Sequence, residues 1–277
     1  MPRLDVSTPA PIAIILAAGK GTRMQSDLPK VCHPIGGRPM VCAVVDACLE
    51  AGCERTVAVV GYKQELVREA LGQYEDRVEY GVQDKQNGTG HAVKCALPAV
   101  ESFSDETPVF VLCGDGPLLR SQTLATILEL HTGTNAAATL ATSVVKDPAG
   151  YGRIVRDDAG RFLKIVEQAN ATEEERAIRE INPSYYCFRL GDLKAGLMRV
   201  TPNAKSGEEY VTDVPEILLA DGKRVELIDA VPPEDVLSIN TPEQLAEVDA
   251  IFRSRQSAAG HQPGPSDRHQ TRGDRHE

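Results

Sequence analysis

No apolar run in this 277-residue sequence approaches the ~20 residues that a membrane-spanning helix requires. The first residues, Met1 to Asp5, also lack the apolar core of a signal peptide. We therefore expect a cytoplasmic protein that does not bind membranes. The composition, with 42% hydrophobic and 25% charged residues, is otherwise that of an ordinary globular protein, and the length of 277 residues predicts one domain by default.

Zinc and disulfide patterns are missing as well. The seven cysteines are odd in number and include no Cys-x-x-Cys pair, so we expect reduced and mostly buried thiols. The chain also lacks a basic excess. Its net charge of -10 argues against a general nucleic-acid binder, although local cations can still bind an anionic substrate.

The order of predicted elements indicates an α/β fold. Up to residue 131, strands and helices alternate as in the right-handed crossover units of a doubly wound, mostly parallel, Rossmann-like sheet. Ligands of such sheets bind at the carboxyl ends of the strands. The predicted strands here are 12–17, 56–60, 78–82 and 109–113, and the predicted helices are 40–51, 64–71, 89–97 and 121–131.

The second half of the sequence is richer in strands. They are predicted at 136–145, 151–156, 161–168, 185–190, 225–230 and 236–239, with helices at 173–179, 192–199, 211–220 and 242–253. From Gln256 onward the sequence is Gly, Pro, Ser, His and Arg without an apolar period. We therefore predict a domain at residues 1–255 and a disordered tail at 256–277.

The most informative segment joins the first strand to a glycine loop. Ile12 to Ala17 is followed by Ala18-Gly19-Lys20-Gly21-Thr22-Arg23-Met24, and then by Pro29 and Lys30. Backbone N–H groups in such a loop, with cations beside them, suit a triphosphate. The loop is not a Walker A motif, which needs four residues between its first Gly and a Gly-Lys-Ser/Thr. It is not a dinucleotide fingerprint either, because the third Gly is missing.

The segment Leu16 to Met24, with Leu28-Pro29-Lys30, resembles the signature of the sugar-phosphate nucleotidyltransferases. Within that family, residues 10 to 255 are most similar to the uridyltransferase domain of the bacterial N-acetylglucosamine-1-phosphate uridyltransferases. The resemblance implies transfer of a uridylyl group from UTP to N-acetylglucosamine-1-phosphate. The products would be pyrophosphate and UDP-N-acetylglucosamine for cell-wall or glycan synthesis. Because a phosphate oxygen attacks in line, the protein must position two polyanions and neutralise charge.

Arg23 and Lys30 are the candidate catalytic residues by this resemblance. Arg23 can fork two phosphate oxygens, whereas Lys30 is a point charge that suits the α-phosphate. Lys20 is either a further phosphate ligand or a solvent-exposed loop cation. The other nucleotide-binding candidates in the loop are Leu16, Ala17, Ala18 and Gly19.

A second family signature is matched by residues 83–91, Gln-Asp-Lys-Gln-Asn-Gly-Thr-Gly-His. In the family a Gln and a Gly-Thr pair contact uracil, which assigns Gln83, Gly88 and Thr89. An amide both donates and accepts, so Gln83 can pair with an imide, while Gly88 lets the backbone approach the base. Thr89 is also expected to cap the following helix, and His91 to be a packed or capping residue.

Two residues that follow predicted strands are candidate ligands of Mg²⁺. The resemblance assigns the ion to Asp115 and Asn240, with phosphate oxygens and water, because a hard divalent ion favours oxygen ligands. It also places Gly114 and Asn240 against the sugar phosphate. The alternatives are that Asp115 only forms a turn and that Asn240 only caps the last helix.

The sugar pocket is assigned to Gly152, Glu167 and Asn182, which match further family motifs. Glu167 can accept from sugar hydroxyls, and Asn182 with the Gly152 backbone can satisfy the remaining polar atoms. Taken singly, these residues can also be a surface carboxylate, a turn residue and a hairpin glycine. Residues 205–213 resemble the family's loop before its penultimate helix, so the strand-rich half is expected to cover the sugar.

Two residues depart from the family pattern beside this pocket. Cys113 stands where an aromatic residue is usual, and Pro183 stands where Thr is common, removing a backbone donor and fixing φ. These departures keep open another substrate, such as glucose-1-phosphate. A non-catalytic nucleotide-binding module that regulates a partner is a further alternative, which the presence of all four candidate reactive residues disfavours.

The hexapeptide repeats of the family's bifunctional members are missing. In those proteins the repeats form a β-helix that carries acetyltransfer and holds a trimer together. From their absence we expect uridylyl transfer without acetyltransferase activity, and no trimer formed by that route.

Overall fold

A computed structural model describes residues 9–237 and 239–260, without the side chains of residues 259 and 260. The strands are β1 (Ile12–Leu16), β2 (Pro34–Ile35), β3 (Arg38–Pro39), β4 (Arg55–Val60), β5 (Val78–Val82), β6 (Pro108–Cys113), β7 (Ala138–Val144), β8 (Gly152–Arg156), β9 (Phe162–Val166), β10 (Glu180–Asn182), β11 (Tyr185–Arg189) and β12 (Val225–Asp229). The helices are α1 (Met40–Glu50), α2 (Gln64–Ala70), α3 (Thr89–Ala96), α4 (Ser121–Thr134), α5 (Glu173–Arg176), α6 (Leu190–Leu197), α7 (Val214–Ala220) and α8 (Pro242–Gly260). Short 3-10 turns cover Thr22–Met24, Lys30–Cys32, Gly72–Tyr74, Leu97–Val100 and Val211–Asp213.

One large sheet organises the described part of the chain. Its order is β5-β4-β1-β6-β11-β7-β10-β8-β9, and β12 also pairs with β7. Among these ten strands of the described residues, β5, β4, β1, β6, β7, β12 and β8 point one way, and β11, β10 and β9 run against them. The predicted α/β fold, with a mostly parallel, doubly wound sheet and a strand-rich second half, is confirmed.

The sheet is covered on both faces, which explains the uninterrupted apolar run of β1. Ile12 and Ile14 pack in a core with α3, α6 and α7, whereas Ala13 and Ile15 pack in a second core with α1, α2, α4 and α8. All four side chains are fully buried. Strands of parallel sheets read as continuous hydrophobic runs for this reason, and each buried Ile stabilises the fold by roughly 1.5–3 kcal/mol.

Parallel pairing brings several loops to one edge of the sheet. In the register of β1 with its neighbours, Leu16 lies opposite both Val59 of β4 and Cys113 of β6. The glycine loop therefore begins beside the turn that carries Gly114 and Asp115. This edge is the carboxyl end of the strands, where ligands of doubly wound sheets bind.

The predicted strand 236–239 is wrong, since residues 236, 237 and 239 form no strand. Two tyrosine hydroxyls supply the hydrogen bonds that a ladder would give: Tyr185 donates to the carbonyl of Asp235 (3.2 Å) and Tyr151 to that of Val236 (3.1 Å). The apolar pattern that suggested a strand reflects burial instead, because Val236 and Ile239 are in the core. Residue 238 lies outside the described residues.

The end of the last helix is also wrong in the sequence prediction. α8 continues to Gly260, so the boundary at Gln256 falls inside a helix. No residue between Arg253 and Gly260 breaks a helix, and Arg253 forms an ion pair with Asp249 one turn earlier (2.7 Å). The rest of the predicted tail, residues 261–277, lies outside the described residues.

The other predicted elements lie within a few residues of the observed ones, and the short strands β2, β3 and β10 were not predicted. No helix in the described ranges is long and apolar enough to cross a membrane.

Candidate active site

Two cations and two oxygen-bearing side chains meet at the carboxyl edge of the sheet. Nζ of Lys30 donates to the carboxylate of Asp115 and to Oδ1 of Asn240, the latter over 2.9 Å. Nη2 of Arg23 donates to the same Asn240 oxygen over 2.7 Å. The structure therefore brings together the two candidate catalytic residues and the two candidate metal ligands.

Gly21 makes room for Lys30. Its φ is +69°, in the left-handed region that favours glycine, and a Cβ at this position would stand 2.6 Å from Cβ of Lys30. Lys30 opens a short 3-10 turn directly after Pro29, and its side chain is only 14% exposed. The glycine loop thus packs on the stem of the lysine and holds its ammonium near the site.

Gly114 brings Asp115 to the same place. Its N–H donates to the carbonyl of Leu16 over 3.0 Å, and a Cβ would stand 3.1 Å from that oxygen. A side chain at Gly114 would therefore push the turn away from the glycine loop. The turn role of Asp115 and its contact with Lys30 coexist in the structure.

Asn240 precedes α8 without capping it. The hydroxyl of Thr241 accepts the N–H of Gln244 over 3.3 Å, and the N–H of Asn240 donates to the Gln244 side chain over 2.8 Å. Because Thr241 supplies the cap, Oδ1 of Asn240 is directed at Lys30 and Arg23 instead. The alternative in which Asn240 serves only as a cap does not fit these contacts.

The pair Asp115 and Asn240 fits a hard cation. Oxygens of both side chains contact one positively charged group, the ammonium of Lys30. Within the described residues, no group of three or more His, Cys, Asp or Glu side chains is arranged to hold a metal. A divalent ion at this point would thus be held by these two oxygens, completed by substrate oxygens and water.

Gln83 lies at the end of β5 and is 4% exposed. Its Nε2 donates to the carbonyl of Gly88 (2.9 Å) and stands 3.1 Å from Nδ1 of His91. Thr89 is the first residue of α3 and does not cap it, contrary to the sequence prediction; the N-cap is Gly88, with φ +99° and no side-chain cap. The Thr89 hydroxyl instead accepts the N–H of Val211 over 3.0 Å.

The glycine loop is fixed on its other side by main-chain contacts. Ala17 donates to the carbonyl of Val59 (2.9 Å), and the carbonyl of Ala18 accepts from the N–H of Tyr62 (3.1 Å). Nε2 of Gln86 also donates to this Ala18 carbonyl over 2.8 Å. Gly19 and Lys20 are exposed, and Nζ of Lys20 lies 5.3 Å from the ring centre of Tyr62.

The three sugar-pocket candidates occupy neighbouring strands of the second half. Asn182 of β10 pairs with Gly152 of β8, and a Cβ at Gly152 would stand 3.0 Å from Cγ2 of Ile165. Asn182 is 4% exposed, donates to the Tyr186 hydroxyl (2.6 Å) and accepts the N–H of Ser184 (3.1 Å). Its side chain therefore also stabilises the turn that Pro183 opens.

Glu167 follows β9 and accepts a hydrogen bond from the hydroxyl of Thr212 over 3.0 Å. Burial raises the pKa of its carboxyl, and the Thr212 bond opposes that shift. Beside it, burial and the Asp115 carboxylate raise the pKa of the Cys113 thiol to about 12, so this cysteine is a neutral thiol. The Cys113 thiol therefore does not have the properties of a nucleophile at neutral pH.

A small cavity of about 30 Å³ joins the nucleotide-binding and sugar-binding candidates. Its volume suits about two water molecules. The residues that line it include Leu16, Thr89, Cys113, Glu167, Ser184 and Thr212.

Sequence reasoning missed several residues that shape this site. Glu209 lies against Gly88 although it is more than a hundred positions away in the chain, Thr212 of the same loop donates to Glu167, and Gln86 bonds the glycine loop. The resemblance of residues 205–213 to a family loop was the available signal for the first two. Gln86 lies within the second signature, but its amide gave no sign that its partner is a carbonyl of the first.

A doubly wound sheet with a glycine loop after its first strand, and with cations clustered at the strand ends, defines a nucleotide-binding transferase fold. The chain belongs to the MobA-like NTP transferase domain family, whose profile matches residues 13–182. The resemblance inferred from the motifs is thereby confirmed.

Known proteins similar to the chain include "Bifunctional protein GlmU" of Geobacillus thermodenitrificans (strain NG80-2), which is 47% identical over 243 residues. The protein of that name from Heliobacterium modesticaldum (strain ATCC 51547 / Ice1) is 45% identical over 243 residues. Each alignment covers 88% of this chain and 52% of the relative, so the chain spans about half the length of these relatives.

Among solved structures, a UDP-glucose pyrophosphorylase complexed with UDP-glucose is similar, with a TM-score of 0.69. The match covers 89% of this chain and 100% of that chain at 18% sequence identity. At this identity the likeness shows the shared fold.

Proposed function

We propose that the protein is a Mg²⁺-dependent uridylyltransferase of the cytoplasm that converts UTP and N-acetylglucosamine-1-phosphate into UDP-N-acetylglucosamine and pyrophosphate. The observation that carries this proposal is the convergence of Arg23, Lys30, Asp115 and Asn240 through hydrogen bonds. Residues so distant in sequence meet at the edge of the sheet where ligands bind. Their chemistry is that of phosphate binding.

The two cations have distinct tasks in this proposal. Lys30 rests between Asp115 and Asn240, and when a triphosphate enters, its ammonium can turn to an oxygen of the α-phosphate. Arg23 is exposed, so its guanidinium can fork two phosphate oxygens without desolvation of a buried group. Positioned cations that meet charge developing in the transition state typically contribute about 10²–10³ in rate.

The oxygens of Asp115 and Asn240 are the groups that would hold Mg²⁺. A bound ion supplies charge neutralisation on phosphate oxygens and orients the triphosphate. The ammonium of Lys30 between the two oxygens supports this assignment, because it marks a point where both side chains already contact one cation.

The identity of the sugar rests on matched motifs. Glu167 can accept from a sugar hydroxyl, and Thr212 already donates to it. Glucose-1-phosphate is the second candidate, because two residues beside this pocket depart from the family pattern: Cys113, which lines the cavity with Glu167, and Pro183, which precedes the Ser184 N–H that Asn182 accepts.

Pyrophosphate release from UTP and Mg²⁺ tests the proposal, with N-acetylglucosamine-1-phosphate, glucosamine-1-phosphate and glucose-1-phosphate compared as acceptors and Asp115→Ala as the inactive control. We expect release with the acetylated sugar and its loss in the variant. Preference for glucose-1-phosphate would keep the reaction and replace the substrate. If UTP binds but no acceptor gives release, the protein is a non-catalytic nucleotide-binding module.

A further inference from the structure

One segment lies directly across the nucleotide motif. The N–H of Glu209 donates to the carbonyl of Asn87, and the carbonyl of Glu209 accepts the N–H of Gly90, each over 2.8 Å. Two residues later, the N–H of Val211 donates to the Thr89 hydroxyl over 3.0 Å. The segment 208–212 is thus bonded to three positions of the motif that begins α3.

A side-chain ion pair reinforces this crossing. Nζ of Lys94 lies 2.6 Å from Oε2 of Glu209, and the two side chains are 26% and 19% exposed. Lys94 is one helical turn after Gly90, so it lies on the same face of α3 as the main-chain contact. Partial burial makes this pair stronger than an exposed surface pair.

The two glycines of the motif are placed where Glu209 crosses. A Cβ at Gly88 would collide with the carbonyl oxygen of Glu209 and stand 2.8 Å from its nitrogen. A Cβ at Gly90 would stand 3.2 Å from the same carbonyl group. The absence of a side chain at both glycines therefore makes room for the backbone of Glu209, in addition to any contact that Gly88 makes with a base.

The far end of the same segment contacts the sugar side. Thr212 donates to Glu167, and both residues line the cavity that Thr89 also borders. Four consecutive residues, 209 to 212, thus join the candidate base-binding motif to the candidate sugar-binding carboxylate.

We propose that Glu209, held by Lys94, is a positioning residue that couples the UTP site to the sugar-1-phosphate site. This inference rests on the proposed function. A nucleotide that orders residues 87–90 would order residues 209–212 through Glu209 and so preset Thr212 and Glu167 for the sugar. Because coupling between two ligands is reciprocal, the sugar phosphate would tighten UTP binding by the same factor.

Two measurements on the full chain test this coupling. Hydrogen exchange of residues 205–213 is followed with and without UTP, which requires no turnover. Initial rates over a matrix of UTP and N-acetylglucosamine-1-phosphate concentrations give the factor by which each substrate lowers the other's KM. The variants are Glu209→Gln, which keeps the main-chain bonds and removes the charge, and Lys94→Gln, which removes the partner. The matched control is Asp105→Asn, in the remote ion pair with Lys194 (3.0 Å).

In the wild type and the control, UTP is expected to slow exchange of residues 205–213, and each substrate to lower the other's KM about fivefold. Both single variants should lose these effects, with kcat at saturation of both substrates changed less than twofold. The reversed pair Lys94→Glu with Glu209→Lys should restore them, which a merely structural role would not require.

Unchanged protection and unchanged KM coupling in Glu209→Gln and Lys94→Gln would overturn the inference. The inference would also be overturned if UTP did not slow hydrogen exchange of residues 205–213 in the wild type. A wild-type protein that shows UTP-dependent protection lost in Glu209→Gln, yet releases no pyrophosphate with any acceptor, would refute the proposed reaction and leave the link between the segments standing.

Discussion

Nε2 of Gln83 and Nδ1 of His91 lie 3.1 Å apart, and this contact fixes how the Gln83 amide is used. The amide has two N–H donors; one is taken by the Gly88 carbonyl and the other by His91. The carbonyl oxygen of Gln83 is then the group left to accept from the imide N–H of uracil. Under the proposed function Gln83 would therefore read the base as an acceptor, whereas sequence reasoning treated it as both donor and acceptor.

Replacing Gln83 by Ala is therefore expected to raise the KM for UTP about fivefold with little change in kcat, since one hydrogen bond to the ground state is worth about 1 kcal/mol. Steady-state rates of pyrophosphate release check this. The matched control is Gln73→Ala, whose amide contacts Cys42 far from the site (3.7 Å). An unchanged KM in Gln83→Ala would remove Gln83 from base recognition.

Replacement of Lys30, which follows the glycine loop, should lower kcat far more than replacement of Lys20, which lies in it. Lys30→Ala removes the ammonium that contacts Asp115 and Asn240, and we expect kcat to fall about 10²–10³-fold. Lys20→Ala should change kcat less than about threefold, because Lys20 is exposed and its ammonium lies over the ring of Tyr62. Rates for both variants under saturating substrates decide the matter. Equal losses of kcat in the two variants would instead indicate that Lys20 is a phosphate ligand.

Metal dependence should be abolished by a chelator and weakened by Asn240→Ala. EDTA in excess of Mg²⁺ is expected to stop pyrophosphate release, and added Mg²⁺ to restore it. Loss of one oxygen ligand should raise the half-saturating Mg²⁺ concentration of Asn240→Ala about tenfold or more. A titration of rate against Mg²⁺ checks this, with Asn135→Ala as the control, since Asn135 is exposed and its side-chain oxygen accepts from Arg189 over 2.7 Å after the end of α4. A variant with an unshifted titration would contradict the ligand assignment.

Gly88 should tolerate alanine worse than Gly37, although both have positive φ, at +99° and +86°. A Cβ at Gly37 meets nothing within 4 Å, whereas one at Gly88 meets the Glu209 backbone. Both substitutions incur left-handed strain, and Gly88→Ala should cost about 1–3 kcal/mol more in the free energy of unfolding. Urea unfolding of the two variants and the wild type measures this difference. Equal losses would mean that the segment 208–212 moves aside freely.

Burial, with Glu216 and Glu167 nearby, raises the pKa of Asp213 from its ordinary 3.8 to about 6. The folded protein thus holds a proton that the unfolded chain has lost between these values. The free energy of unfolding should then fall as pH rises from about 4 to about 6. Asp213→Asn removes this dependence, and at pH 7 it should be more stable by about 1 kcal/mol after allowance for solvent screening.

Urea unfolding at several pH values between these limits tests the Asp213 prediction, with the exposed Asp158→Asn as control. The wild type and Asp213→Asn should be equally stable at the acid end and diverge as pH rises. If the free energies of unfolding of the two proteins changed with pH in parallel, the raised pKa of the Asp213 carboxyl would be refuted.

Local sequence was sufficient for the elements that carry the phosphate cluster. The apolar run of β1 and the glycine loop after it are short-range signals. Because the carboxyl ends of parallel strands meet at one edge of the sheet, these signals were enough to predict that Arg23, Lys30 and Asp115 lie together. Asn240 was placed correctly at the cluster for a partly wrong reason, since residues 236, 237 and 239, the described part of the strand predicted before it, form no strand. Tyrosine hydroxyls hold that loop instead.

What the sequence could not supply was the direction of polar side chains with distant partners. Threonine is a residue type that often caps helices, but the Thr89 hydroxyl accepts the N–H of Val211, which is 122 positions away in the chain. Gly88 matched a base-binding motif, yet its closest neighbour is the backbone of Glu209. Such choices depend on which loop arrives at the same place, and residue type alone does not encode that.

The reach of the hydrogen bonds in the cluster also governs how the protein folds. Arg23 and Asn240 are separated by 217 positions, and Lys30 and Asn240 by 210. Closing such long loops is entropically costly and slow, so the contacts within the β1, β4 and β6 core should form first. During synthesis the nucleotide half can thus be largely folded while its reactive groups remain unassembled. The reactive groups would then come together in a single late step, when the chain leading into α8 docks against the glycine loop.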